Sequence, residues 1–388
     1  MDFTFTDDEL AFKEAISRFL MTEAAPEALR EIWETDSGRS PELRAKMAEQ
    51  GLTALSVPEH AGGLGLNDVA WSLMTQELGY YGIPDSMADT AYVAAGLLAA
   101  LSSAAQNGTA QNSTAQNSIA QTDELLGGIA GGELRLALQH PVNPLVADAH
   151  LADFILLMEG VNPAGNTDIS QAALHCVPRR DVDISLHPSI DSSRRLSQVS
   201  WQPKPETLLC RGDEAAALME ETLQRGALSV AGQLLGLAQR MLDLSVDYVA
   251  QRKQFGRAIG SFQAVKHHLA DVAAKIEFAR PVLYRAAWAL AHQQPESGLY
   301  VSQARLACDD AAQLAAHHGI QVHGAMGYTW EVDLQMFMKR SWSLASSWGD
   351  RAFHQQRINT ALFAHDASLD YGPADTFGSA PEREVNNA

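Results

Sequence analysis

The spacing of apolar residues changes twice along this 388-residue chain, and these two changes are the strongest constraint on how it folds. Apolar residues recur at helical spacing from Leu10 through about residue 100. Between about 134 and 209, short apolar runs alternate with Pro, Gly, Asn and Asp, and helical spacing then returns from Asp213 to about His365. The late stretches are long and lack heptads, which favours a bundle over a coiled coil. The sequence predicts a mainly α protein with a small β domain.

These pattern changes also predict the domain bounds. We expect an N-terminal helical domain over 1–134, a reduced middle β domain over 135–209, a C-terminal four-helix bundle over 210–366 and a flexible tail over 367–388. Thr6 precedes three acidic residues and is expected to cap the first helix, because its side-chain oxygen can accept a backbone N–H.

A pentad repeat interrupts the first domain between Ala105 and Thr122. It reads AQNGT, AQNST, AQNSI and AQTDE, and it has no apolar face that could be buried. The sequence therefore predicts a solvated, mobile loop in this stretch.

Charge and cysteine usage exclude several classes of protein. The chain has 28 Lys and Arg against 47 Asp and Glu, a net charge of −19, and no basic run, which disfavours binding to nucleic acid or to an anionic membrane. No apolar run approaches the roughly 18–20 residues that cross a bilayer, and the acidic N-terminus does not resemble a signal peptide. The three cysteines form no CxxC pair, and no metal-ligand spacing is present. We expect a cytoplasmic protein without a metal site.

The first motif whose residues could bind a ligand is Tyr248–Gly256, YVAQRKQFG. We expect a helix to end at Gly256, with Arg252 and Phe255 on the same side of its last turn. An arginine beside an aromatic ring and free backbone amides can hold a phosphate while the ring stacks on a flat ligand. The alternative is that Arg252 caps helix carbonyls and Phe255 is a core residue.

The second motif is GIQVHGAMGYTWE, residues 319–331. Gly324 and Gly327 allow a ligand to approach the backbone closely, and Gln321 can donate to or accept from a heteroaromatic edge. The alternative is an ordinary turn between two bundle helices.

The order and spacing of these motifs, with the preceding GLAQR at 236–240, resemble the acyl-CoA dehydrogenase family over nearly the whole chain. The resemblance implies a helical domain, a β domain and a four-helix bundle. It also implies FAD, an acyl-CoA substrate and an electron-transfer flavoprotein-type acceptor. In that family a glutamate removes the α proton of the thioester and the flavin accepts the β hydride. The implied cofactor residues, which contact FAD bound mainly by a neighbouring subunit, are Arg252, Gln254, Phe255, Gly256, Gln321 and Gly324.

The chain departs from the family where the base is expected. The usual Glu-Gly step is Trp348 followed by glycine, and indole has no acceptor nitrogen. The family's alternative base position falls near Gly226. The resemblance therefore implies no catalytic residue in this chain. Asp350 is a candidate displaced base or, more simply, a surface partner of its neighbour Arg351, whereas Glu220 and Glu221 are expected to be solvated helix charges.

The middle segment departs as well, because LALQHPVN at 136–143 stands where the family carries a Thr-Glu-Pro run lining the flavin ring. Such a combination resembles the subunit without the catalytic glutamate in heteromeric (α2β2) bacterial steroid side-chain acyl-CoA dehydrogenases. A second acyl-CoA dehydrogenase-like subunit is the implied partner. Two alternatives stay open, a self-contained homotetramer using Asp350 and a flavin-free scaffold. Arg194 and Arg195, which follow Asp191, are expected to form an ion pair at a domain edge, and a contact with the CoA phosphates is the alternative.

Overall fold

The computed structural model describes residues 4–106, 114–160 and 168–363, with side chains left aside at 104–106 and 114–120. Helices come first, strands follow, and helices return, as the pattern predicted. The N-terminal helices are α1 (Asp7–Glu23), α2 (Pro26–Glu34), α3 (Pro41–Glu49), α4 (Asp68–Tyr80), α5 (Ala95–Gln106) and α6 (Thr114–Ala130), and a π-helical segment, Asp89–Ala94, leads into α5.

The capped start of α1 is confirmed. The Thr6 side chain accepts the N–H of Glu9, and the Glu9 carboxylate accepts the N–H of Thr6, which is a complete capping box. Behind α1, helix α4 crosses the first bundle helix at very close range. A Cβ atom added at Gly79, Gly232 or Gly236 would overlap atoms of the opposite helix. Three glycines therefore set the distance between the first domain and the bundle.

Two small sheets form the middle of the chain. The first has the order β1 (Leu136–Gln139), β3 (Phe154–Glu159), β4 (Ala173–Pro178), β7 (Leu208–Arg211), and only the β1–β3 pairing is parallel. The second is antiparallel with the order β2 (Val146–Ala147), β6 (Leu196–Ser200), β5 (Asp183–His187). Strand β3 is buried on both faces, since Ile155 and Leu157 join a small core under the second sheet while Leu156 joins the main core.

The last part is the bundle, and its core is continuous with that of the N-terminal helices. Its helices are α7 (Asp213–Gln251), α8 (Gln263–Ala291), α9 (Ser297–His323), α10 (Leu334–Leu344) and α11 (Arg351–Phe363). Between α7 and α8 lies a hairpin of β8 (Lys253–Gln254) and β9 (Arg257–Ala258). The expected mainly α architecture with a small β region is confirmed.

The prediction for the pentad repeat is wrong in part. Helix α5 continues to Gln106 and α6 begins at Thr114, so helix covers much of the stretch that was expected to be a loop. Alanine and glutamine are good helix formers, and the repeat contains no proline to stop them. Residues 107–113 of the repeat and the predicted tail, 367–388, lie outside the described residues. None of the helices in the described ranges combines the length and apolar character needed to cross a membrane.

Candidate functional site

The first motif forms a tight hairpin at the end of α7, not a helical turn. Helix α7 ends at Gln251, and Arg252 is already extended, with φ −68° and ψ 125°. Strands β8 and β9 are joined by Phe255 and Gly256, whose φ angles are +53° and +77°. Both central residues of a type I′ hairpin turn need positive φ, which suits Gly256 and strains Phe255. The expectation that Arg252 and Phe255 share a helix turn is therefore wrong.

The hairpin presents its side chains to solvent. Phe255 is 91% exposed, so the alternative that it is a core residue is also wrong. Arg252 is exposed as well, and it forms no ion pair with any residue in the described part of the chain. A Cβ atom at Gly256 would meet nothing within 4 Å. A large aromatic ring, a free guanidinium and open backbone thus stand together on one surface.

The second motif ends at the same place. Gln321 and Gly324, at the end of α9, are exposed, and Gly324 has φ +61° with open space around it. The rings of Tyr248 and His323 stack with centroids 4.1 Å apart, and the Tyr248 hydroxyl donates to the His323 carbonyl at 3.4 Å. This contact joins the ends of α7 and α9. The six residues implied as cofactor contacts are all exposed at this end of the bundle, which we call the cofactor element: Arg252, Gln254, Phe255, Gly256, Gln321 and Gly324.

Trp348 and Gly226, the two positions where the resemblance implies a base, touch each other inside the protein. Trp348 is 2% exposed and has φ +55°. Its indole lies on Gly226, where a Cβ atom would overlap the ring. The backbone N–H of Trp348 donates to Asn143 Oδ1 at 3.4 Å, and the His354 Nε2–H donates to the backbone carbonyl of Trp348 at 3.0 Å. The indole fills the space that a base would need.

The segment at 136–143, expected from the resemblance to stand at the flavin ring, packs onto this indole through His140. His140 is buried, its ring centroid is 5.9 Å from that of Trp348, and its Nδ1 accepts the Val142 N–H at 3.2 Å. Burial lowers the pKa of His140 to about 4, so the ring is neutral at physiological pH. Because His140 and Val142 are both buried, neither side chain is free to line a flavin ring.

The carboxylates considered as substitute bases are engaged elsewhere. Asp350 is exposed and accepts the Phe353 N–H at 2.8 Å, which makes it the N-cap of α11. It does not pair with Arg351, whose guanidinium contacts Asp310 at 2.6 Å. The expected Asp350–Arg351 pair is therefore wrong.

Glu220 and Glu221 are not free surface charges either. Glu220 accepts from Arg357 of α11, and Glu221 pairs with Arg225 one helical turn further on, at 2.7 Å. The expectation that they are solvated helix charges is therefore wrong. Each forms an ion pair, Glu220 with an arginine of α11 and Glu221 with an arginine of α7 itself.

The arginine pair near Asp191 is also rearranged. Asp191 contacts Arg340 at 3.5 Å, while Arg194 donates to the Ser343 carbonyl at 2.9 Å and Arg195 to the Trp33 carbonyl at 2.7 Å. The expected ion pair of Asp191 with its sequence neighbours is wrong, because both side chains extend to other domains.

Asp89 is a residue that the sequence reading missed. It begins the π-helical segment, and its side chain lines a cavity beside Trp348. Burial raises the pKa of Asp89 to about 6, against the opposing effects of the Arg194 charge and the Trp348 side chain. No motif marks it in the sequence, because it belongs to no recognisable spacing ahead of an alanine-rich helix. Within the described residues, no group of three or more His, Cys, Asp or Glu side chains could hold a metal ion.

Comparison with known proteins agrees with this architecture. The family model for the acyl-CoA dehydrogenase N-terminal domain matches residues 6–115, and that for the C-terminal domain matches residues 216–363. The acyl-CoA dehydrogenase IpdE2 of Mycobacterium tuberculosis is 31% identical over 86% of this chain and 91% of its own length. The chain belongs to the acyl-CoA dehydrogenase family of oxidoreductases, whose members bind FAD.

Two solved structures show the same fold. One is the ChsE4–ChsE5 complex from Mycobacterium tuberculosis, with a TM-score of 0.77 and 21% identity over 94% of this chain and 99% of that chain. The other is a Tcur3481–Tcur3483 steroid acyl-CoA dehydrogenase, with a TM-score of 0.75 and 21% identity over 91% and 97% of the two chains.

Proposed function

We propose that this chain is the non-catalytic, FAD-binding subunit of a heteromeric acyl-CoA dehydrogenase. The assembly would α,β-desaturate acyl-CoA thioesters, with steroid side-chain CoA esters as the candidate substrates, and pass electrons to an electron-transfer flavoprotein-type acceptor. A second acyl-CoA dehydrogenase-like chain would supply the base and the flavin-ring pocket. FAD would accept the hydride there.

The observation that carries this proposal is the contact between Trp348 and Gly226. An active dehydrogenase needs a carboxylate within hydrogen-bond reach of the α proton. Here one family position for that carboxylate holds a glycine and the other holds an indole that fills the glycine's space. Neither Asp350 nor Glu220 is free to replace it, since the first caps α11 and the second pairs with Arg357.

The second line of support is the exposure of the cofactor element. A solvent-exposed phenylalanine with positive φ is costly on two counts, apolar exposure and backbone strain of about 1–3 kcal/mol. Such costs are common at binding surfaces. Arg252, without an ion pair in the described residues, can donate to a diphosphate, and the Phe255 ring can stack on a flat heterocycle. The element would thus complete an FAD site on a neighbouring chain.

The relatives favour a heteromeric assembly and a steroid substrate. The ChsE4–ChsE5 structure is a complex of two different proteins. The Tcur3481–Tcur3483 structure is that of a steroid acyl-CoA dehydrogenase. We extend both properties to this chain because its own catalytic position is closed, so that a partner is required for turnover.

The test is the flavin content of the co-purified complex. Arg252→Ala should remove most of the bound FAD, with loss of desaturase activity, while leaving the fold unchanged because the side chain is exposed. Arg18→Ala is the matched control, since Arg18 is an exposed arginine whose ion pair in the described residues is with Glu14, at 2.9 Å, one turn away. Unchanged flavin content in Arg252→Ala would contradict the proposed cofactor role.

Two alternatives give different results in the same experiment. A self-contained enzyme would be yellow and active without a partner. A flavin-free scaffold would carry no FAD in either preparation. The position of Asp350 as an exposed helix cap disfavours the first alternative.

A further inference from the structure

The cofactor element is divided between the ends of two helices that are distant in sequence. Its hairpin half, Arg252 to Gly256, follows α7, and its α9 half consists of Gln321 and Gly324. A ligand that contacts both halves binds tightly when the distance between them is already set, because otherwise binding must order the protein as well. The contact that sets this distance therefore influences how well the element binds.

Each half is fixed to its own helix by backbone hydrogen bonds. The Arg252 N–H donates to the Tyr248 carbonyl at 2.9 Å, and the Arg252 carbonyl accepts the Ile259 N–H at 2.8 Å. On α9, the Gly324 N–H donates to the Ile320 carbonyl. These bonds hold Arg252 relative to α7 and Gly324 relative to α9, but none of them joins the two halves.

The side chains of Tyr248 and His323 provide that connection. Their ring centroids lie 4.1 Å apart with the planes at 21°, and the Tyr248 hydroxyl donates to the His323 carbonyl at 3.4 Å. Within the described residues, no other hydrogen bond joins the two motifs. Tyr248 stands about one helical turn before Arg252, and His323 directly precedes Gly324. The stack is therefore adjacent to both halves.

His323 is itself held in one orientation. It is buried, and its Nδ1 lies 2.8 Å from the Gly319 carbonyl. Because a carbonyl oxygen only accepts, Nδ1 carries the hydrogen of this bond. Burial lowers the pKa of His323 below its ordinary value, so the ring is neutral at physiological pH and stacks on Tyr248 without a buried charge. Tyr248 thus rests on a ring whose position α9 already fixes.

The stack lies beyond the part of the bundle that holds α7 and α9 together. The buried side chains of the main core end at Leu242 on α7 and at Ala316 on α9. Tyr248, which is half-buried, and His323 follow these positions along their helices. Loss of the stack should therefore leave the bundle folded and change the segments that extend past its core.

We propose that Tyr248 and His323 are positioning residues of the cofactor element, whose ring stack sets the distance between Arg252 and the α9 half. With that distance fixed, Arg252 contacts the diphosphate while Gln321 and Gly324 contact the same ligand. The inference rests on the proposed function for the identity of the ligand, FAD. It adds two residues that the resemblance did not mark and that act through Arg252 rather than on FAD itself.

The test is the rate at which the intact complex releases FAD, followed by the rise of flavin fluorescence after dilution. Tyr248→Leu removes one ring of the stack, and His323→Asn removes the other while keeping a side-chain N–H donor. Each should release FAD about tenfold faster than wild type, the factor that the loss of one aromatic pair corresponds to. Tyr248→Phe keeps the ring and should stay within about threefold of wild type, since a 3.4 Å hydrogen bond between neutral groups is weak.

A second aromatic stack serves as the matched control. Trp288 and His292, at the end of α8, stack with centroids 4.2 Å apart and planes at 23°. Trp288 lies about 37 Å along α8 from Gln263, where the helix begins beside the hairpin. Trp288→Leu should leave FAD release unchanged. Equal acceleration by Trp288→Leu and Tyr248→Leu, or by Tyr248→Phe and Tyr248→Leu, would overturn the positioning role.

A double-mutant cycle shows whether Tyr248 acts through Arg252. Arg252→Lys keeps the charge but loses the planar pair of donors, so it should release FAD faster. In that background Tyr248→Leu should add about twofold or less, because the interaction that it positions is already lost. A further tenfold increase would show that the two residues act independently and would contradict the inference.

The proposed function and this inference fail in different ways. A complex that keeps its FAD in Arg252→Ala contradicts the proposed function. A complex that loses FAD in Arg252→Ala but releases it at the wild-type rate in Tyr248→Leu and His323→Asn contradicts only the positioning role.

Discussion

Two aromatic-glycine steps in this chain, Phe255-Gly256 and Trp348-Gly349, have similar backbones and opposite environments. All four residues have positive φ, between 53° and 90°, although φ above zero is strained for a bulky aromatic. Phe255 is 91% exposed on a hairpin, whereas Trp348 is 2% exposed on Gly226. The chain therefore exposes one strained aromatic side chain, Phe255, to solvent and packs the other, Trp348, against Gly226 in the interior. The comparison is what our proposal expects of a subunit that contributes to a neighbour's site and lacks a site of its own.

The largest stability effect is expected at the inward step. Trp348→Ala should lower the free energy of unfolding by about 3–5 kcal/mol, because it leaves a large cavity in a packed interior. Trp330 is the matched tryptophan, 67% exposed over Lys339, and Trp330→Ala should cost less than about 1 kcal/mol. Urea unfolding of both variants measures the difference. Equal losses would show that Trp348 does not support the interior.

The second prediction concerns the histidine that holds the Trp348 carbonyl. Burial lowers the pKa of His354 to about 3, so its folded-state pKa lies below its unfolded value of about 6.5. Between pH 6.5 and about 3, His354 is protonated in the unfolded chain but stays neutral in the native chain. The free energy of unfolding should therefore decrease by up to about 1.4 kcal/mol per pH unit as pH falls from 6.5 towards 3, for this residue alone.

Urea unfolding between pH 7.5 and 4 tests that histidine. His354→Gln keeps a side-chain N–H donor and should flatten the acid loss, although buried His140 contributes in the same direction. His267→Gln, at an exposed position on α8, is the control and should leave the profile unchanged. If the free energy of unfolding of His354→Gln fell with pH as steeply as in wild type, His354 would not be a cause of the acid loss.

A double-mutant cycle measures the coupling energy between Gly226 and Trp348. Gly226→Ala should cost about 1–3 kcal/mol in wild type, because the new methyl group overlaps the Trp348 ring. In the Trp348→Ala background the same change should cost close to nothing, or even stabilise the chain, since alanine is the better helix former. A coupling energy near zero would mean that the two residues do not share this space.

The smallest stability effect is expected at the outward step. Phe255→Asn should leave the free energy of unfolding unchanged or raise it by up to about 1 kcal/mol, because asparagine tolerates positive φ, although the exposed ring gives up an edge contact with Phe262, with centroids 6.1 Å apart. FAD retention by the complex should nevertheless fall. A marked loss of stability without loss of FAD would reverse the comparison between Phe255 and Trp348.

The sequence predicted the order of helices and strands well because periodicity and capping are local properties. Thr6 and Glu9 form the expected capping box within one helical turn. The pentad repeat was misjudged, since a segment without an apolar face can still be helical when it is rich in alanine and glutamine. Local sequence pattern therefore predicts most helices and strands, but the lack of an apolar face does not by itself exclude a helix.

The site was predictable at the level of which residues matter and unpredictable in how they are arranged. The resemblance marked both Trp348 and Gly226, but their mutual contact depends on the crossing of α7 with the segment before α11. Likewise, the partner of Asp191 proved to be Arg340 rather than its neighbours, because the pairing spans two domains. Asp89 carried no sequence signal at all, since its role depends on a cavity that forms only when three parts of the chain meet.

The most direct measurement is the visible absorption spectrum of the purified chain, first alone and then co-purified with a second acyl-CoA dehydrogenase-like chain. Our account predicts a flavin spectrum and desaturase activity only in the co-purified sample, because the exposed cofactor element completes a site whose ring pocket and base belong to the partner. A yellow, steadily active protein from this chain alone would contradict it.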